Sequence, residues 1–287
     1  MNANRHHRRR CSRACRVALG TLTLLAVASL RADDRSKNPT SKFYVADIAG
    51  KSEVNTGEKI VELSEKSVFS AEGTVIETKS DSTNSIVMSN GTGIFLDPDT
   101  RLEVKRFLQE PFQPDRTDLE TEPSISQTRS YIPRGTVGLC SSKLVAGSTM
   151  RYTTPLVEVN IRAQKLVIET NDNQTVVSAI DGEVTLRGEG FVGGEPLSSG
   201  QQAVITRSNL NQPPKIVIRP IPQEDMPVLG TKVAQACMAR RTVYFDIAER
   251  ENENNQPELE LIVEEVTPVD PDDIGPVVSA SAITPSQ

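Results

Sequence analysis

The feature that most constrains this chain is its punctuation. Short apolar runs are broken, again and again, by turn-forming residues. Val75-Ile76, Ile86-Val87-Met88, Ile94-Phe95-Leu96 and Leu102-Glu103-Val104 follow one another closely. Asn90-Gly91 and Asp97-Pro98-Asp99 stand between them. Such runs are too short and too often interrupted for amphipathic helices, and they read as strands joined by turns. Asn-Gly predicts a type I′ hairpin turn, because both residues tolerate positive φ.

A second series repeats the pattern. It runs through Val157-Glu158-Val159-Asn160-Ile161, Leu166-Val167-Ile168, Thr175-Val176-Val177, Glu183-Val184-Thr185-Leu186, Ala203-Val204-Ile205 and Ile216-Val217-Ile218. Its turns include Asn171-Asp172-Asn173, Asp181-Gly182 and Ser199-Gly200. Val157, Val159 and Ile161 alternate with polar residues, which argues for strands covered on one face. The expected fold class is mainly β, as a sandwich, a barrel or a stack of short strands.

The first 32 residues stand apart from this pattern. Arg5, Arg8, Arg9, Arg10, Arg13 and Arg16 precede an uncharged apolar stretch from Val17 to Leu30, with Ala32 just before Asp33-Asp34. That order is the secretory signal pattern, and the apolar stretch is short for a membrane span. Strand-like text then runs from about Ser41 to Ile221. The expected organisation is a signal peptide over 1–32, a lead-in over 33–57 and a β domain over 58–222. A helix and short strand over 223–250 are expected to dock on it, and 251–287 to form a disordered acidic tail. Glu110–Arg129, with three Pro and five acidic residues, reads as a long loop inside the β domain. Leu229, Val233, Ala236 and Cys237 fall on one helical stripe, with Lys232, Gln235 and Arg240 off it, which predicts a helix near Met226–Arg241. Val243-Tyr244-Phe245-Asp246-Ile247 predicts one last strand. From Glu251 onward there are nine acidic residues, five Pro and no Lys or Arg, the composition of a solvated segment. Leu261-Ile262-Val263 is its apolar patch, suited to pairing with a partner or a sheet edge.

Residue types limit the chemistry. The two histidines, His6 and His7, lie in the leader, so cleavage would leave no His for a triad, a metal site or a general base. It would also leave two cysteines, Cys140 and Cys237. In an oxidising compartment they form a candidate disulfide; alternatively each is a small buried apolar residue. Carboxylates are plentiful, but sugar-processing sites favour aromatic platforms, and the chain has four Tyr, seven Phe and no Trp. Asp97-Pro98-Asp99 suits a turn better than an acid pair. Asp270, Asp272 and Asp273 do not match a calcium-loop register. Gly188, Gly190, Gly193 and Gly194 lack the strand–helix context and Lys of a phosphate loop. The sequons at Asn90 and Asn173 fall in predicted turns.

The charge is unevenly distributed. The formal net charge is −6. The leader contributes seven Arg and no acid, the stretch from Glu251 nine acids and no base, leaving 25 basic and 29 acidic residues between them. Without its leader the chain would be strongly acidic, which disfavours nucleic acid and anionic lipid as partners.

Two stretches together resemble the FecR domain family of bacterial envelope proteins. The first is Glu72-Gly73-Thr74-Val75 followed by Ile86 to Val104, a strand, an Asn-Gly turn, a strand, a Pro-Asp-Thr turn and a third strand. The second contains Tyr152-Thr153-Thr154-Pro155, Val157–Arg162, Thr175–Leu186 and Leu197-Ser198-Ser199-Gly200-Gln201. One departure is plain: Ile161-Arg162-Ala163-Gln164 stands where the family usually has Arg-Gly-Thr. If that glycine takes positive φ, Ala163 is strained or the local turn differs. The family's best-understood members are membrane-spanning regulators that sense an outer-membrane transporter and control a sigma factor. No cytoplasmic domain is expected before the leader here and no anchor after it. The resemblance therefore implies a binding or structural module rather than that whole circuit, and it brings no catalytic residues. The expected function is that of an exported, periplasmic or extracellular, non-enzymatic protein without a cofactor or metal, which binds a protein or envelope partner. A structural surface component is the alternative, and a carboxylate-dependent glycan hydrolase a weaker one.

Overall fold

The protein is described by a computed structural model over residues 40–112, 120–189, 193–209, 212–251 and 257–266. The leader and the last 21 residues, 267–287, lie outside the described residues, as do Asp270, Asp272 and Asp273. The first half of the chain forms β1 (Lys42–Ala49), β2 (Ser52–Asn55), β3 (Ile60–Glu62), β4 (Val68–Ser70), β5 (Val75–Thr78), β6 (Thr83–Met88), β7 (Gly93–Leu96) and β8 (Arg101–Gln109). A long strand, β9 (Ser126–Cys140), follows. Then come β10 (Thr149–Thr153), β11 (Glu158–Ile161), β12 (Lys165–Thr170), β13 (Gln174–Asp181), β14 (Val184–Arg187), β15 (Glu195–Leu197), β16 (Gln201–Thr206) and β17 (Lys215–Pro220). The chain closes with α1 (Met226–Arg241), β18 (Val243–Glu251) and β19 (Pro257–Glu265).

These strands build a sandwich of two facing sheets. Sheet A has the order β4-β1-β6-β7-β9-β12-β13-β16-β17. Sheet B has the order β3-β2-β5-β8-β9-β10-β11-β14-β15. Successive hairpins therefore alternate between the sheets, and β9 belongs to both. Its first part pairs with β8 and β10, its last part with β7 and β12. The change occurs at Gly135, whose φ is +99°. Glycine suits such a corner because a strand bent this sharply leaves no room for a side chain. Phe43, Ile86, Leu139, Leu166 and Ile205 from sheet A meet Ile76, Leu102, Phe107, Tyr152 and Leu186 from sheet B in one buried core.

The outer face of sheet A is largely covered as well. Helix α1 lays Leu229, Val233, Ala236 and Ala239 on it, and Val167 packs against Leu229 and Val233. A Cβ on Gly93 would stand 2.9 Å from the Ala236 carbonyl carbon, and one on Gly138 would stand 2.9 Å from the Lys232 carbonyl oxygen. These two glycines on adjacent strands give the helix backbone a flat seat. The β18–β19 hairpin covers the neighbouring part, where Phe245, Val243 and Leu261 pack around Tyr44 and Val87.

The strand-rich fold class with one C-terminal helix is as the sequence predicts, and α1 spans the predicted Met226–Arg241. Several boundaries differ. The expected lead-in over 33–57 contains β1 and β2, because Phe43 and Val45 point into the core while Tyr44 points to the opposite face. The acidic segment expected to be disordered from 251 begins with a strand: β19 pairs along its whole length with β18, bringing Val263 opposite Phe245 and Leu261 opposite Ile247. Its acidic residues alternate with apolar ones there, so one side can be buried while the charges stay in solvent. The loop expected over 110–129 ends earlier, since Ser126 already pairs with Gln109 in the β8–β9 ladder. The Asn90-Gly91 turn is also of a different type. Only Gly91 has positive φ (+81°), the Gly91 amide donates to Met88 O, and the Met88 amide donates to Thr92 O. This is a three-residue hairpin loop with a left-handed glycine at its end. Ala163 does not take positive φ; the left-handed residue beside it is Gly182 (φ +98°), which takes up the turn from the other strand.

Candidate interaction surface

The residues singled out for chemistry occupy structural positions. Cys140, the last residue of β9, and Cys237 of α1 are joined in a disulfide, with Cα atoms 5.1 Å apart and a sequence separation of 97. The bridge lies in a small cluster with Phe95 and Ala236 and ties the helix to sheet A. Asp97 is not an acid partner of Asp99. It accepts an ion pair from Lys232 on α1, and Asp99 supplies the positive φ (53°) of the turn. Lys232 therefore lies at the sheet rather than off the buried stripe, and burial pushes its ammonium below the ordinary lysine range. Arg240 is drawn in too: it donates to Ser141 O and Ser142 Oγ, and burial lowers its guanidinium despite the opposing charge of Glu120.

The two sequons differ. The Asn90 side chain is buried, donates from Nδ2 to Ser126 Oγ at 3.1 Å and accepts from the Thr92 amide. No glycan fits there in the folded protein. Asn173 is exposed in the β12–β13 turn. Gly193 and Gly194 belong to the β14–β15 connection and face no helix N-terminus. Among the described residues no three His, Cys, Asp or Glu side chains gather into a metal-binding group.

Sequence reasoning missed a buried polar cluster next to Asn90. Glu122 is 3% exposed. It accepts from the Val145 amide and from Ser126 Oγ, both at 2.8 Å. Burial raises its carboxyl above the ordinary range, against the pull of these hydrogen bonds and one from Ser148. Nearby, Gln109 Nε2 donates to Ser89 O, its amide N–H donates to Ser41 Oγ, and its carbonyl accepts from Thr40 Oγ1. Apart from Ser126–Glu122, four residues apart, these contacts join segments 20 or more residues apart, so the cluster pins the end of the 110–125 connection to the sandwich. No spacing in the sequence announces it, since its members lie on five different segments.

The outer face of sheet B is an ionic surface. Glu62, Glu53, Glu77, Arg101 and Arg134 follow one another across neighbouring strands. Burial alone would raise Glu77, but hydrogen bonds from Arg134 and Arg101 outweigh it and hold the carboxyl below the ordinary range. Glu103 behaves alike, with Lys105 and Arg101 outweighing burial.

The outer face of sheet A has one part that neither α1 nor the hairpin covers, over β13, β16 and β17. Val176 pairs with Val204, and Val204 with Val217. These three β-branched residues form an apolar row across three strands, ending at an edge where Val217 is 58% exposed. The next row is polar: Gln202 Nε2 donates to Ser178 Oγ at 3.2 Å, and Arg219 donates to Gln202 Oε1 at 3.1 Å. A partly exposed apolar row beside polar groups that are buried and already satisfied has the make-up of a contact surface.

No family model matches the chain, and no curated protein matches it. Among solved structures it is similar to two crystal structures of a "putative anti-sigma factor" from Parabacteroides distasonis. The TM-scores are 0.41 and 0.40, the identities 11% and 12%, and each match covers 60% of this chain. The chain spans 66% of the length of each of those chains, just under two thirds.

Proposed function

We propose that this protein is an exported, non-enzymatic FecR-like β module that binds a protein partner in the cell envelope. The observation that carries the reading is the open row of Val176, Val204 and Val217 on a sheet whose outer face α1 and the β18–β19 hairpin largely cover. Burying three β-branched side chains on a flat, preformed sheet needs little ordering of the protein itself, which favours association. The family resemblance supports the same reading. Its quoted stretches fall on β5–β8 and β10–β16. Export is supported by the leader pattern in the sequence.

The test is capture from envelope extract by three forms of the protein. The unaltered chain and Lys105→Ala, a change on the far sheet, retain the partner. Val204→Lys, which sets a charge in the middle of the apolar row, loses it. Equal recovery by Val204→Lys sinks the assignment of this face, and recovery of nothing above background by any form sinks the binding function.

A further inference from the structure

Each sheet ends in an edge strand on both sides. Beyond the first half of the chain the edges are β4 in sheet A and β3 in sheet B; beyond the second half they are β17 and β15. Two of the four are blunted. β15 carries Pro196, which has no N–H to offer a further strand. The approach to β4 is occupied by the terminal hairpin, because Lys66, two residues before β4, pairs with Glu265 at 2.6 Å. Among the described residues β3 and β17 carry no further strand, and they expose Ile60 (66%) and Val217 (58%).

The charges beside these two residues have opposite signs. Glu62 shares the face of Ile60, and Glu58 sits in the two-residue turn before β3. Lys215 and Arg219 share the face of Val217 on either side of it. Glu62 and Lys215 make no ion pair with any described residue. We infer that β17 of one copy pairs antiparallel with β3 of a second copy, setting Val217 opposite Ile60 and Lys215 opposite Glu62, with Arg219 beside Glu58. Directly opposed unlike charges and apolar pairs stabilise a ladder, and like charges destabilise it. That rule disfavours the symmetric alternative, since pairing two β17 strands about Val217 sets Lys215 against Arg219. The contact is therefore head-to-tail, and each added copy leaves one β3 and one β17 edge free.

The inference rests on the proposed function only in treating uncovered strands as docking surfaces; the occupant here is the protein itself. The experiment is sedimentation of the full chain over a wide concentration range at low salt, with circular dichroism confirming that every variant is folded. The mean mass rises with concentration past that of a dimer. Glu62→Lys and Lys215→Glu each weaken association by about fivefold or more, and the chain carrying both reversals returns to within about threefold of the original. A monomer at all concentrations overturns the inference, as does a species that stops at a dimer or indifference to either reversal. Val204→Lys keeps the two readings apart: it abolishes capture of an envelope partner while leaving the Lys215–Glu62 pairing in place.

Discussion

Replacing Gly135 by Ala tests the idea that β9 joins the two sheets through a corner only glycine can make. The residue has φ +99°, and a Cβ there would stand 2.6 Å from Thr100 Cβ. Thr100 has little freedom to retreat. It is fully buried, its amide donates to Thr78 Oγ1, and its hydroxyl accepts from the Thr136 amide, both at 2.9 Å. Two effects add. Left-handed backbone costs a non-glycine residue roughly 1–2 kcal/mol, offset by roughly 0.4–1 kcal/mol because alanine stiffens the unfolded chain. Forcing the methyl group into packed neighbours costs about 1–3 kcal/mol more. The sum is about 2–4 kcal/mol. Gly200→Ala isolates the first effect, because Gly200 has φ +79° but no atom within 4 Å of its would-be Cβ; it should cost about 0.5–1 kcal/mol. Urea unfolding followed by far-ultraviolet circular dichroism suits a chain without Trp. With a slope of about 2 kcal/mol per molar, the midpoint falls by about 1–2 M for Gly135→Ala and by under about 0.5 M for Gly200→Ala. Equal shifts for the two variants would refute the argument that Thr100 blocks the corner.

Four further outcomes are expected. Reducing the Cys140–Cys237 bridge, or replacing both residues by Ser, lowers stability by roughly 2–5 kcal/mol, as befits so long a closed loop, and the double variant no longer responds to reductant in thermal unfolding. Gly93→Ala lifts α1 from its seat, so hydrogen exchange quickens in the helix amides and leaves β10, β11 and β14 on the far sheet unchanged. Glu77 and Glu103 sit below the ordinary carboxylate range in the folded state, so the unfolded chain takes up their protons first; their stabilisation is complete above about pH 5 and is lost as pH falls through the folded values. Arg134→Gln makes the acid limb of the urea midpoint shallower, and an unchanged limb removes the Arg134–Glu77 contact from the account. Burial and a hydrogen bond to Glu265 push the Tyr44 phenol up to about 12, so Glu265→Gln brings forward one ionisation in an ultraviolet titration of the tyrosines; a superimposable curve contradicts the pairing.

Some of this was legible residue by residue. Val157, Val159 and Ile161 alternate in the text and alternate in the structure, because a strand has a period of two whatever it pairs with. The helix was equally plain, since Pro227 opens it and the apolar stripe continues through Val233 to Ala236. The position of the Asn90-Gly91 loop is legible in the sequence, and its type is not. A turn type depends on how many residues the ladder leaves unpaired, and the Met88–Thr92 pair that settles it belongs to the hairpin as a whole. β19 was hidden by composition, because acidic residues on an exposed strand face look the same as acidic residues in a solvated segment. The candidate surface was less legible still. Val176, Val204 and Val217 are more than ten residues apart from one another, and only strand register brings them into one row.

By itself the sequence determined the local alphabet: where most turns fall, where the helix lies, which side chains can be nucleophiles, ligands or bridges. Those properties depend on neighbours within a few residues and on residue chemistry. Tertiary structure decided what lies beside what. It put β9 in both sheets, set α1 on Gly93 and Gly138, brought Lys232 to Asp97, and left the row of Val176, Val204 and Val217 open on one face. Such relations arise from pairing and packing between segments far apart in the chain, where a shift of one residue in register would turn every side chain of a strand to the opposite face.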